Sequence, residues 1–215
     1  MNKNNNNNTI AIVGIHTGIG KTIVSAVLTE ALRAHYWKPV QAGIEDRDMI
    51  TVQSLIADGD ARVHPEAVLL RTPASPHTAA AIEGVTIDFQ EFSWPITNAP
   101  LLVETAGGVL SPMTDTATMA DFVTHYQLPV ILVSQNYLGS INHTLTAIET
   151  LKNRNIPILG IVMSGDTDTS SESFITSYTN VPIIARVPFI APLSAERVKE
   201  IADGLDLHWL LPISN

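Results

Sequence analysis

The stretch Thr9-Ile10-Ala11-Ile12-Val13-Gly14-Ile15-His16-Thr17-Gly18-Ile19-Gly20-Lys21-Thr22 decides the fold. Its first five residues are apolar or β-branched with no polar alternation, the pattern of a strand covered on both faces. Glycines then punctuate a turn, and from Ile23 to Ala34 apolar residues recur at helical spacing. Strand, glycine-bearing loop, Gly-Lys-Thr and helix are the context that a P-loop requires. The N–H groups of Gly18, Ile19, Gly20, Lys21, Thr22 and Ile23, with the positive end of the helix, can face a polyphosphate. Lys21 supplies a point charge toward the β- and γ-phosphates, and the Thr22 hydroxyl can ligate Mg²⁺. The strict spacing G-x-x-x-x-G-K-[ST] asks for glycine at Ile15, whereas Gly14 comes one residue early. A glycine-rich turn with a surface lysine is the competing reading, and the flanking strand and helix favour the nucleotide site.

Outward from this loop the same rhythm repeats. Further strands are predicted over 37–40, 101–104, 130–133, 158–163 and 183–187, alternating with helices over 118–126, 140–153, 171–178 and 195–202. Strand and helix in alternation give an α/β fold: a P-loop NTPase-like, mostly parallel central sheet with right-handed crossovers and helices on both faces. The stretch 43–100 is less regular, holds the steps Thr72-Pro73 and Ser75-Pro76 and a helix near 77–83, and reads as an excursion over the sheet's carboxyl edge. Residues 4–8 are a run of asparagine, too polar to pack, and read as a disordered tail over 1–8 ahead of one domain over 9–215. No linker, repeat or heptad array marks a second domain.

A phosphate-binding enzyme also needs carboxylates for its metal. Glu104 closes the apolar run Leu101-Leu102-Val103, which places it at the carboxyl end of a central strand, where open α/β sheets bind ligands. An acid that simply meets solvent at a strand end is the alternative, but such ends seldom bury an unpaired charge. Glu45, Asp46 and Asp48 crowd one short stretch, and position alone does not choose among them.

Composition narrows the rest. The 215 residues are 45% hydrophobic and only 15% charged, against a usual charged share of roughly 25%, so the chain folds and has surface to spare for an oligomer. Twelve Lys+Arg against 21 Asp+Glu leave a net charge of −9, the wrong sign for holding a nucleic-acid backbone. Cysteine is absent, which removes disulfides, thiolate metal sites and thiol nucleophiles. No apolar run is long enough to span a membrane and no signal pattern opens the chain, so the expected address is the cytoplasm. The scattered histidines form no H-E-x-x-H and no serine sits in a nucleophile elbow, which excludes metallopeptidase and triad hydrolase readings. His77 reads as structural, and Trp37, Trp94 and Trp209 as core or interface. The apolar stretch over 205–211 should pack onto the body.

Seven blocks in order make the chain resemble the dethiobiotin synthetases. They are Gly14…Thr17…Gly20-Lys21-Thr22; Lys38-Pro39-Val40 with Gly43; Ser75-Pro76-His77; Val103-Glu104 with Ala106-Gly107-Gly108; Asp115-Thr116 with Ala120-Asp121; Leu128-Pro129-Val130-Ile131-Leu132-Val133; and Leu138-Gly139-Ser140-Ile141-Asn142-His143-Thr144. The resemblance covers most of the chain, from Thr9 to about Ile190. It implies an ATP- and Mg²⁺-dependent ligase: CO₂ and one amine of 7,8-diaminononanoate form a carbamate, ATP phosphorylates it, and the second amine displaces phosphate to close a cyclic urea. It further implies that Lys21 and Lys38 neutralise the transferring phosphoryl group and carbamate. Thr17 would bind nearby, Thr22, Asp48 and Glu104 would hold Mg²⁺, and Gly107 would let backbone approach the substrate. Ser164 and the Pro188-Phe189-Ile190 turn fall at the base. Gly139, Ser140 and Asn142 would take the substrate carboxylate across a homodimer interface. By residue chemistry alone, Asn142 reads as ordinary helix capping, and Lys38 as a solvated flank at the amino end of its strand, far from the site.

The sequence also departs from the family. His16 replaces a usual aspartate, Gly18 a larger and often acidic residue, Ala42 a substrate-binding hydroxyl, and Thr105 a glycine. Ser164 replaces the asparagine that reads adenine, and a hydroxyl lacks the paired donor and acceptor of an amide. These changes point to relaxed nucleotide use or shifted substrate placement. Two readings compete with the ligase. A regulatory ATPase switch of the partitioning kind would carry a second lysine early in the loop, where this chain has Ile15 and His16. An idle nucleotide-binding homologue is at odds with the retained Lys21, Thr22 and Glu104.

Overall fold

A computed structural model describes residues 8–210. The chain runs through β1 (Thr9–Gly14), α1 (Lys21–Ala31), β2 (His35–Trp37), β3 (Val40–Ala42), α2 (Asp48–Leu55), the one-turn α3 (Gly59–Arg62), β4 (Val63–His64), β5 (Val68–Leu70) and α4 (Pro76–Glu83). After a long return come β6 (Leu101–Glu104), α5 (Met119–His125), β7 (Val130–Gln135), α6 (Ser140–Asn153), β8 (Ile158–Ser164), α7 (Thr169–Thr179), β9 (Ile183–Val187) and α8 (Ala195–Asp203). Seven strands form the main sheet in the order β4-β2-β6-β1-β7-β8-β9, and every ladder between them is parallel. Parallel pairing puts all the carboxyl ends on one edge. That edge carries the site.

Strand residues alternate between two cores. Ala11, Val13, Leu101, Val103 and Leu132 face α5, α6 and α7 through Phe122, Ile148, Leu151 and Ile175. Ile10, Ile12, Leu102, Ile131 and Val133 face α1, α2 and α8 through Val24, Leu28, Val52 and Val198. Two buried faces explain why the central strands carry unbroken apolar runs. Trp37 and Trp94 lie in the first core with ring centroids 4.9 Å apart, whereas Trp209 is exposed. Leu207 is buried and Leu205 and Leu210 pack beside it.

The sequence pattern needs correction at three places. The strand expected over 37–40 is two strands: β2 ends at Trp37, and β3 begins at Val40 and pairs with β5 in a separate two-stranded sheet. Pro39 has no N–H to continue the ladder, so the chain changes sheets there. The first helix stops at Ala31 rather than Ala34, because Arg33 takes a left-handed backbone at φ 49°. The stretch 43–100 is more regular than expected: α2 packs on α1, and β4 adds an edge strand to the main sheet. Of the asparagine run, residues 4–7 lie outside the described residues; Asn8 belongs to the fold, its carbonyl accepting the Leu101 N–H at 3.0 Å. No helix among the described residues is long and apolar enough to cross a membrane.

Candidate active site

The loop leaves β1 at Gly14 and enters α1 at Lys21. Gly20 caps the helix at φ 83°, and no side chain caps the first turn. The free N–H groups of Lys21, Thr22 and Ile23 are therefore open to a ligand. Gly18 is exposed and Ile19 is buried in the core. Lys21 folds back over Gly14, where a β-carbon would stand 2.8 Å from Lys21 Cδ and 3.1 Å from Nζ. That contact accounts for the glycine one place earlier than the strict P-loop spacing: the position must be bare for the lysine to cross it. Lys21 Nζ donates to the His16 carbonyl at 3.0 Å. Burial lowers its pKa, Glu104 and Asp48 oppose that fall, and Lys38 adds to it.

Around Thr22 the structure gathers side chains from four elements. Thr22 Oγ1 donates to Asp48 Oδ1 at 2.7 Å and lies 3.3 Å from Glu104 Oε1. Lys38 is ion-paired with Asp48, and its Nζ is 3.8 Å from Glu104 Oε1. Asp48 opens α2 in a half-buried position, while Glu45 and Asp46 are exposed, so the fold itself chooses among the three acids. Lys38 is not at the amino end of a strand. It follows the carboxyl end of β2, and the bend at Pro39 turns it into the site. Glu104 ends β6 buried at 1% exposure, and its register partner on β1 is Ile12. Gly14 thus lies two residues beyond it, roughly 7 Å up the sheet edge.

Sequence reasoning missed Tyr36. Its hydroxyl donates to Glu104 Oε2 at 3.0 Å, and burial first, then Glu104 and Asp48, raise its pKa well above the usual value. It therefore stays a donor. The alternation along β2, with Tyr36 two residues before Lys38, was the available signal.

The donor set fits Mg²⁺. A hydroxyl and two carboxylates are hard oxygen ligands, and no group of three or more His, Asp or Glu side chains converges among the described residues to form an all-protein cage. Mg²⁺ is commonly bound this way, through one or two carboxylates plus phosphate oxygens and water. A triphosphate laid beside Asp48 and Glu104 would also need a dication to offset like-charge repulsion.

A cleft of about 450 Å³ adjoins the loop, lined by Thr17, Ser111, Asn142 and His143 among others. Gly108 lines it, and Gly107 just before takes φ 68°: a β-carbon on Gly107 would lie 3.5 Å from Thr17 Oγ1 and 2.3 Å from Ser111 Oγ of the lining, so a larger residue would collide. Gly139 caps α6 at φ 101° without a side-chain cap, and Gly139 and Asn142 are exposed. Ser140 is buried, its Oγ without a partner among the described residues. Ala42 ends β3, in the small sheet. On the far side of the loop, a β-carbon on Gly20 would sit 2.6 Å from Ser164 Oγ, so the end of β8 abuts the loop. The turn of Pro188, Phe189 and Ile190 follows β9, with Phe189 83% exposed and Ile190 packed on the core beside α1 and α8.

A family model described as an AAA domain matches residues 8–197. The ATP-dependent dethiobiotin synthetase BioD of Nitrobacter hamburgensis is 45% identical over 204 residues, covering 94% of this chain and 96% of that protein. The enzyme of the same name from Rhodopseudomonas palustris strain HaA2 is 47% identical over 191 residues, covering 88% and 90%. Among solved structures, a ParA family ATPase from Chlorobium tepidum aligns with a TM-score of 0.51 at 14% identity, over 92% of this chain and 99% of that one. That last likeness concerns the fold.

Proposed function

The chain belongs to the dethiobiotin synthetase family, and from that membership we propose that it closes the ureido ring of dethiobiotin from 7,8-diaminononanoate, CO₂ and ATP. The observation that supports this most strongly is the convergence of Thr22, Lys38, Asp48 and Glu104 beside the Lys21 loop. A nucleotide switch of the partitioning kind would place its second lysine early in the loop, where this chain has Ile15 and His16; here the second lysine is Lys38, which follows β2.

In the proposed reaction one amine adds to CO₂ and loses a proton, giving a carbamate. The carbamate oxygen attacks the γ-phosphorus, ADP leaves, and the second amine attacks the carbonyl carbon of the mixed anhydride to expel phosphate. Negative charge grows on the transferring group and on the carbamate. Lys21 and Lys38 neutralise it from two sides, with fixed cations that need not reorganise. The loop N–H groups from Gly18 to Ile23 hold the phosphates in line. Thr17 lines the cleft assigned to the diamine, and Gly107 keeps the backbone close behind Thr17 and Ser111. Thr22, Asp48 and Glu104 would hold Mg²⁺, which when bound supplies positive charge to the β- and γ-phosphate oxygens. Ser164 and the Pro188 to Ile190 turn flank the base.

The substrate carboxylate is assigned to the uncapped start of α6, at Gly139, Ser140 and Asn142, reached from a second chain in a homodimer. The full exposure of Leu138 just before that turn supports a partner there. Ala42 offers no hydroxyl, so the diamine is held with one hydrogen bond fewer.

Incubation with Mg-ATP, ¹³C-bicarbonate and the diamine tests the proposal by mass spectrometry. The expected product is dethiobiotin heavier by one mass unit. Hydrolysis of ATP without that product would overturn it.

A further inference from the structure

We propose that the side-chain amide of Gln135 reads the nucleobase of the triphosphate and selects adenine, a discrimination that the neighbouring Ser164 hydroxyl cannot make. The inference rests on the reading of the chain as a nucleotide-dependent enzyme.

The direction of the bound nucleotide comes first. With the triphosphate in the loop, the Thr22 side is occupied by the Lys38, Asp48 and Glu104 cluster, which directs the sugar and base to the opposite side. The other side is the open carboxyl edge of β7, β8 and β9. Gln135 closes β7 directly opposite Ser164, which closes β8. Ser164 in turn touches the last turn of the loop, with its Oγ 2.6 Å from where a Gly20 β-carbon would be. The Gln135 amide therefore stands one strand beyond the phosphate loop.

Its surroundings define a slot. A β-carbon on Gly165 would lie 3.4 Å from Gln135 Nε2. The Gly165 N–H donates to the Val187 carbonyl at 2.8 Å, and the Pro188 to Ile190 turn begins with the next residue. Amide, bare glycine and turn thus line up along the edge. Phe189, 83% exposed, offers a ring face on which a base can stack.

The amide is also unspent. Gln135 is half-buried and makes no side-chain hydrogen bond among the described residues. The adjacent Asn136 Nδ2, by contrast, is committed to Glu172 Oε1 at 2.7 Å and to the Asp166 carbonyl at 2.9 Å, and its Oδ1 is buried, so it offers no donor to a ligand. An amide that reaches the ligand edge with both donor and acceptor free matches the paired acceptor and donor of adenine, the pairing by which Gln and Asn recognise this base.

The test is calorimetric binding of Mg-ATP, Mg-GTP and Mg-CTP to the full chain, alongside kcat/KM for each in the complete reaction. Wild-type protein should prefer ATP. Gln135→Ala should weaken ATP roughly tenfold or more while leaving GTP and CTP nearly unchanged, the scale of one bidentate base contact. Gln135→Glu, which keeps the bulk and loses the donor, should also lose the preference and guards against a packing artefact. A wild type indifferent to the base, or a variant that weakens all three equally, overturns the inference. Base preference lost in the variants without any dethiobiotin formed would leave the inference standing and remove the proposed function instead.

Discussion

Tyr36 and Glu104 are joined by a 3.0 Å hydrogen bond between two buried groups, the hydroxyl donating to Oε2. The bond leaves the other carboxylate oxygen, Oε1, to face Thr22 and Lys38. Tyrosine thus orients a proposed metal ligand without touching the metal. Tyr36→Phe keeps the ring in the core and removes the donor. The half-saturating Mg²⁺ concentration should rise by about 10-fold or more, the usual penalty for losing such an orienting partner. A Mg²⁺ titration of turnover checks this, and an unchanged midpoint would show that Glu104 is held by its other contacts.

Lys21 opens α1 directly after the loop proposed to bind phosphate, and its Nζ reaches back to the His16 carbonyl. Lys21→Ala should lower kcat by roughly 10²–10³, the scale for losing one charge-stabilising group. Its melting temperature should not fall, because burial already disfavours the charged amine. Steady-state kinetics beside thermal melting separate the two effects.

Gly14→Ala tests the same lysine without removing it. The new methyl group would stand 2.8 Å from Lys21 Cδ, closer than real contacts allow, so the chain must swing away. Displacement of a positioned group by about an ångström can cost about 10² in rate. The variant should lose activity on that scale while still binding ATP, as read by calorimetry and turnover together.

His35 and His64 form a second titrating pair, away from the site. Their rings stack with centroids 5.0 Å apart, and Nδ1 of one lies 2.8 Å from Nε2 of the other. Burial lowers both pKa values, with Arg62 adding to the fall at His35 and His35 to that at His64. A histidine held below its unfolded value of about 6.5 stabilises the fold fully above that pH. The contribution is lost as pH falls through the lowered folded value. Melting temperature should therefore drop between pH 7 and pH 5, and drop less in His64→Gln. Parallel curves for the two proteins would contradict the assignment.

The loop, Glu104 and the strands around them were legible because each is announced locally. An apolar run, a glycine turn and Gly-Lys-Thr lie within one stretch, and Glu104 ends its own run. Lys38 was legible only through family resemblance, since nothing near it shows that β2 ends one residue before it and that Pro39 redirects the chain. Tyr36 and Gln135 were not legible as site residues. Both look like ordinary strand residues, and their roles arise from what the parallel register sets beside them. The two-residue strand β4 is too short for any periodicity to reveal.

In the proposed reaction, phosphoryl transfer at the Lys21 loop is coupled to urea formation in the adjoining cleft. Phosphate release measured with Mg-ATP and bicarbonate, with and without 7,8-diaminononanoate, tests it most directly. Release should depend on the diamine, with one phosphate for each dethiobiotin formed. Release at the same rate whether or not the diamine is present would contradict it.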